Sequence, residues 1–341
     1  MKRNNICNSS DTMVDEMIDG YIASTGNLFS RIPETKSIVY NPTFNRDKVK
    51  IIVGGGAGCE PIYLGCAGEG MADAVVNGNI FAAPSAIAVL KTVRYMNCSK
   101  GVVFITGNYT GDVLNYELAA ELCETEGVNA KAVFVRDDIL HKEKQDREAR
   151  RGITGIVWTI RIASAMAEEG KSVEEIVEAV NAVIKNLATV SVTFWPGYRP
   201  DTGIPLYEME EGKIEFGMGI NGEPGIEKTE MPSSEVLAEK IMGFIHRDME
   251  LEQKDEISLM INGKGATSFA ELYVLANDIK KYVEKQGICI YHIEVGNYLT
   301  APGMGGVSVT ALKLNDMLKN YFRKGAYTGL YASKVGVWED R

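Results

Sequence analysis

The stretch VKIIVGGGAGCEP, Val49 to Pro61, decides the fold. It begins with a short, largely apolar and β-branched run, the composition of a strand, and the run stops abruptly in Gly54-Gly55-Gly56. Working outward, Val102–Ile105 and Ala132–Val135 repeat the strand pattern, while Ser85–Tyr95, Val113–Cys123 and Ile153–Ala167 carry helical patterns. Strands alternating with helices predict an α/β fold. The Ile153–Ala167 helix is rich in small residues and nearly uncharged on one face, so it is expected deep in the core. Ser172, followed three residues later by Glu175, predicts a capping box opening a helix to Lys185.

Phe194–Pro205 holds three prolines and two glycines, too many for a regular element. Beyond it come strand patterns at Ile214–Ile220, Ile257–Ile261, Ile288–Val295 and Val307–Leu314, and helix patterns at Ser234–Ile245 and Phe269–Lys285. The 341 residues exceed what one compact core usually fills. Two α/β lobes are therefore expected, residues 1–187 with the glycine-rich strand-end loops and residues 188–341.

Thirty-six basic against 46 acidic residues give a formal charge of −10. Such a surface repels phosphate backbones and anionic lipid, so neither nucleic acid nor membrane is expected as a partner. The mixed run Lys142–Arg151 reads as a solvated loop or helix end. Met1–Asp19 is polar and has the character of no targeting segment, and no run of about 18 apolar residues occurs. Six cysteines stand singly at 7, 59, 66, 98, 123 and 289, which reads as reduced thiols and a cytoplasmic location. His141, His246 and His292 lie far apart without metal-ligand spacing, so no metal site is expected.

The chain holds 35 glycines, above the usual share of about 7%. They cluster after the predicted strands, where open α/β sheets bind ligands because loop amides are free. Taken singly each glycine reads as a tight turn; gathered at one strand end, they read as a small-molecule or backbone contact. Gly56-x-Gly58 could begin a dinucleotide fingerprint, but Pro61, which has no N–H, stands in the third glycine's place. Gly263-Lys264-Gly265 lacks the spacing and the Ser/Thr of a phosphate loop, and no kinase catalytic loop or DFG triplet occurs. Any nucleotide is expected to be held elsewhere.

Several strings, in order, resemble the substrate-binding K subunit of dihydroxyacetone kinases. They are GGGAGCEPIYLGCAGEGMADAVVNGNIFAAPS (Gly54–Ser85), GNYTGDVLNYELAAE (Gly107–Glu121), DREARRGITGIVWTIRIASAMAEEG (Asp146–Gly170) and GMGINGEPGI (Gly217–Ile226). NGKGATSFAELYVL and VGNYLTAPGMGGVSVTALKLND continue the match, which spans residues 10–330. The resemblance implies the two-lobe α/β fold of that subunit, a homodimer, and presentation of a short hydroxy-ketone for phosphorylation. The phosphate would come from a separate nucleotide-binding L-type subunit. No cofactor is then expected on this chain, with ATP and magnesium, or a phosphotransfer relay, belonging to the partner.

The chain departs from the family at its chemistry. The family's covalent histidine, in GIHGEPG, is here Asn221. A neutral imidazole can add to a ketone, whereas an amide nitrogen has its lone pair delocalised and can only hydrogen-bond. The family's second histidine is here Cys59, which reads either as a small apolar residue or as a reactive thiol. Ala83 replaces the serine common before the proline of FASPS, and Gly107 replaces a lysine common before NYTGD. Asp112 is retained. It is expected to contact a substrate hydroxyl or act as base, with a helix N-cap as its structural alternative. Gly55 and Gly56 remain as backbone donors.

Together these residues lead to the expectation of a subunit of a kinase acting on an alcohol group, inactive alone, that binds a small hydroxy-ketone or polyol non-covalently. The alternative is a non-catalytic paralogue acting as regulator or co-activator.

Overall fold

The structure is a computed structural model, described over residues 3–333. The first part of the chain forms α1 (Met13–Ser24), β1 (Phe29–Arg31), β2 (Ser37–Tyr40), α2 (Asn41–Phe44), β3 (Lys50–Ala57), β4 (Gly68–Glu69) and β5 (Ala74–Ile80). It continues through α3 (Ala86–Met96), β6 (Val102–Gly107), α4 (Thr110–Thr125), β7 (Ala130–Val135), α5 (Gly155–Glu168) and α6 (Val173–Lys185). The strands make one six-stranded sheet in the order β1-β2-β5-β3-β6-β7. The β1–β2 and β2–β5 pairs are antiparallel; β5, β3, β6 and β7 run parallel. Ile51, Ile52 and Val53 are fully buried, as a central strand covered on both faces requires.

The second sheet is built from β8 (Leu187–Trp195), β9 (Lys213–Phe216), β10 (Glu227–Glu230), β11 (Glu256–Gly263), β12 (Cys289–Gly296) and β13 (Gly305–Lys313). Its order is β10-β9-β8-β13-β11-β12, with only β11 and β12 paired in parallel. Helices α7 (Ser234–Met249) and α8 (Phe269–Lys285) bury Leu237, Ile241, Ile245, Leu272 and Ile279 in a core with Val190, Val192 and Val309 from the sheet. The chain then forms α9 (Asp316–Phe322) and two short strands, β14 (Ala326–Thr328) and β15 (Ala332–Ser333), that pair in the order β15-β14-β4.

The two α/β units are not contiguous halves. One comprises Arg136–Gly155 and Val183–Asp316 with residues 3–5; the other comprises Ile6–Val135, Ile156–Ala182 and residues 317–333. Each excursion has a polar cause. Asp137, fully buried, accepts from the N–H groups of Ile153 and Gly155, both at 2.7 Å, and from the Thr189 hydroxyl at the start of β8. Arg161 on α5, also fully buried, donates to the carbonyls of Phe322 and Lys324 and to Ser333 Oγ, which fixes the C-terminal return.

Local expectations met mixed outcomes. The capping box forms, with the Ser172 N–H 2.9 Å from Glu175 Oε2 and the Glu175 N–H 3.2 Å from Ser172 Oγ. Helix α5 is almost wholly buried, as its composition implied. The run Lys142–Arg151 is not simply solvated: Arg150 pairs with Asp248, and Arg151 pairs with Asp138, both guanidinium groups being buried. The expected strand Ile214–Ile220 ends at Phe216, because Gly217 takes a positive φ of 79° and donates its N–H to Ser191 O. Among the described residues no helix is long and apolar enough to cross a membrane.

Candidate functional site

Because β5, β3 and β6 are parallel neighbours, their carboxyl ends open on one edge of the first sheet. Three loops leave that edge: residues 58–63 after β3, 81–85 after β5, and 108–109 leading from β6 into α4. Gly55, Gly56, Cys59, Ala83, Gly107 and Asp112 all fall at or beside them.

The glycines there are first of all a packing requirement. A Cβ at Gly54 would sit 2.4 Å from the Tyr116 hydroxyl oxygen, one at Gly55 2.3 Å from Tyr63 Cε2, and one at Gly56 2.7 Å from the Ala82 nitrogen. Such approaches are closer than any side chain tolerates, so the run lets two tyrosines and the 81–82 turn lie directly on the strand. A Cβ at Gly111 would lie 3.3 Å from Ala83 Cβ, which puts the 81–85 loop against the first turn of α4.

Asp112 is the third residue of α4. The N-cap is Tyr109, so the N-cap reading of Asp112 is corrected. Its side chain is buried, with residue exposure of 7%, and Oδ1 has no hydrogen-bond partner. Burial lifts its carboxyl to about 7. Burial also pushes the Tyr63 and Tyr116 phenols well up, and the nearby Asp112 carboxyl adds to both shifts. Thr106 Oγ1 donates to Gly54 O at 2.7 Å, so in the 3.2 Å contact of Tyr63 with Thr106 the phenol is the donor. The same phenol oxygen accepts the Gly107 N–H at 3.0 Å. Cys59 is buried beside this group and contributes to the Tyr63 shift. A carboxyl that titrates near neutrality and has an unused buried oxygen can take a proton from a hydroxyl brought to it.

Asn221 lies in the other unit, on the turn between β9 and β10, and is exposed. Its N–H donates to Glu223 Oε2 at 3.1 Å, and that oxygen stands 3.6 Å from Arg151 Nη1. Arg151 Nη2 in turn donates to Asp138 Oδ2 at 2.7 Å and to Gly217 O at 2.9 Å. The Asn221 position therefore presents an amide on a turn braced from its root and offers no nucleophile. Gly55, Gly56, Cys59, Ala83, Gly107 and Asp112 share one unit, whereas Asn221 belongs to the second.

Sequence reasoning missed Tyr63, Thr106, Glu223 and the buried partners of Arg151, since nothing in their spacing signals a contact. Lys264 entered only as part of a failed phosphate loop. In the structure it is a buried amine whose Nζ donates to Ser191 Oγ at 2.8 Å and Thr193 Oγ1 at 2.7 Å, and burial lowers it to about 7. Among the described residues no group of three His, Cys, Asp or Glu side chains could hold a metal ion.

The model of the Dak1 domain matches residues 19–329. The chain belongs to the Dak1 family. One Dak1 relative, the dihydroxyacetone-binding subunit DhaK of a PTS-dependent dihydroxyacetone kinase 2 from Listeria innocua, is 33% identical over 92% of this chain and 95% of its own length. Another, the DhaKLM operon coactivator DhaQ of Lactococcus lactis, is 31% identical over 91% of this chain and 94% of its own. The crystal structure of the dihydroxyacetone kinase from C. freundii in complex with AMP-PNP and Mg2+ superposes with a TM-score of 0.88 at 28% identity. That superposition covers 98% of this chain and 61% of the kinase. The two-unit α/β architecture expected from the sequence is thus the Dak1 fold.

Proposed function

We propose that this Dak1 chain is the substrate-binding subunit of a dihydroxyacetone-kinase-like enzyme, holding a small hydroxy-ketone or polyol non-covalently. A separate L-type subunit would bring ATP and magnesium, or a phosphotransfer relay, so that the chain alone is inactive. It would act as a homodimer in the cytoplasm. The observation that carries the reading is Asp112: a carboxyl held in its site by the first turn of α4, with one buried oxygen unpartnered and an affinity for protons matched to neutral pH. Cys59, Ala83 and Gly56, in the same unit as Asp112, would line the substrate site with it; Asn221 is assigned a hydrogen-bonding role toward ligand in place of a covalent one. The Gly107 N–H is occupied by the Tyr63 phenol, so that position would donate nothing to the ligand, and Gly55, packed against the same tyrosine, would help shape the site.

The test is calorimetric titration of the full chain with dihydroxyacetone and with glycerol. Saturable binding of at least one, lost in Asp112→Ala, is expected; no binding of any short ketose or polyol overturns the reading. A regulatory role is the second reading, favoured by the likeness to DhaQ together with the absence of a covalent nucleophile at Asn221. It gains if the chain binds ligand yet supports no phosphorylation with an L-type partner.

A further inference from the structure

The second unit contains a buried cation that neither packing nor ion pairing explains. Lys264 directly follows β11, and its side chain crosses the middle strand β13 to reach β8. Gly306 on β13 opens the lane: with φ at +147°, a Cβ there would lie 2.3 Å from Val192 O and 3.0 Å from Lys264 Cδ. At the far side the amine meets Ser191 and Thr193, alternate residues on one face of β8. Both partners are neutral hydroxyls, and among the described residues no carboxylate stands at ion-pair distance from it. Burying an amine on such terms is costly, and an apolar chain of the same size would be cheaper.

What the amine reaches explains its presence. Ser191 is the residue that anchors the Asn221 turn: its carbonyl accepts the Gly217 N–H at 2.8 Å, and its hydroxyl lies 3.4 Å from Met218 O. Because Lys264 fills the acceptor side of that hydroxyl, the Ser191 proton is turned toward Met218. Charge acts on the same turn. The charged groups around Lys264 are Asp138, Arg151 and Glu223, and the last of these accepts the Asn221 N–H.

We infer that Lys264 is a positioning residue, whose amine ties β11 to the root of the Asn221 turn and holds that turn in the shape that receives ligand. The inference rests on the proposed binding role of Asn221. Without a covalent bond at 221, affinity depends on how little the turn must be ordered when ligand arrives, and a pre-set turn lowers that cost.

The test is hydrogen exchange on the full chain, comparing wild type with Lys264→Met, paired with titration of dihydroxyacetone and glycerol. At about pH 6.5, where the amine still carries charge, amides of residues 217–223 should exchange about tenfold faster in Lys264→Met while the amides of α3 and α4 are unchanged. Affinity for whichever ligand binds should fall by a similar factor. The difference in exchange should narrow toward about pH 9, because a neutral amine makes the weaker hydrogen bonds. Unaltered protection of residues 217–223 overturns the inference, and so does a difference that stays constant with pH, which would reduce Lys264 to a packing role. Ser191→Ala, which removes the amine's partner without touching the lysine, should loosen the same amides and decides the matter if Lys264→Met does not fold. Absence of any ligand binding by wild type would remove the proposed function, while the exchange comparison would still judge the tether.

Discussion

The phenol of Tyr63 accepts the backbone N–H of Gly107 at 3.0 Å, tying the loop after β3 to the end of β6. The bond satisfies the Gly107 N–H and fixes the end of β6 that leads into α4, on which Asp112 stands. Tyr63→Phe would leave the Gly107 N–H and the Thr106 hydroxyl oxygen each without their phenol partner. We expect a loss of about 1–3 kcal/mol in unfolding free energy, measured by urea denaturation, because a buried N–H is left unpaired. A change below a few tenths would show that water replaces the phenol.

The proton affinity of Asp112 has a definite consequence for stability. Its folded carboxyl titrates near 7, above the ordinary 3.8, so between these values the folded chain holds a proton that the unfolded chain has shed. The contribution is complete below about pH 4 and lost as pH rises through about 7, with a slope of up to about 1.4 kcal/mol per unit. Asp112→Asn should therefore be more stable than wild type at pH 8, with the gap closing toward pH 4. Thermal melts across that range check it; a constant gap would mean an ordinary carboxylate.

Asn221 should form no covalent adduct with a ketone, since its amide lone pair is not available. Restoring chemistry should require two changes. Asn221→His supplies a nucleophile but leaves a thiol at 59, and general-base help is typically worth 10²–10⁴-fold. With an L-type partner, the double variant Asn221→His/Cys59→His should exceed the product of the singles in a coupled phosphorylation assay, as groups acting together do. Full activity from Asn221→His alone would show that Cys59 is no defect.

The purified chain should turn over no ATP by itself, because Gly263-Lys264-Gly265 lacks the phosphate-loop residues and the Lys264 amine points to Ser191 and Thr193. Protein-dependent hydrolysis that survives removal of contaminating ATPases would contradict this.

Much of the fold was legible because its signals are local. The Val49–Val53 run ending in glycines, the spacing of Ser172 and Glu175, and the apolar Ile153–Ala167 segment each carry their reading in a few neighbouring residues. The strands β1 and β2 were not legible, being short, and neither was β5, Ala74–Ile80, whose valines are cut off from Ile80 by Asn77, Gly78 and Asn79, residues that usually mark a turn. The discontinuous units were not legible either, because the contacts that recruit Arg136–Gly155 and the chain from Met317 span about fifty to 170 residues.

At the site the division is similar. By itself the sequence determined that position 221 carries an amide and position 59 a thiol, where the resemblance leads one to expect histidines; residue identity suffices to show that neither can act as an imidazole. Only the tertiary structure decided that Asp112 lies inside the first turn of α4 with a buried, unpartnered oxygen, since proton affinity follows from burial and not from residue type. It likewise decided that Gly54, Gly55 and Gly56 make room for Tyr116, Tyr63 and the 81–82 turn, and that Lys264 reaches across a strand to Ser191 and Thr193 on β8. Those relationships join residues far apart in the chain, and only packing brings them within a bond's length.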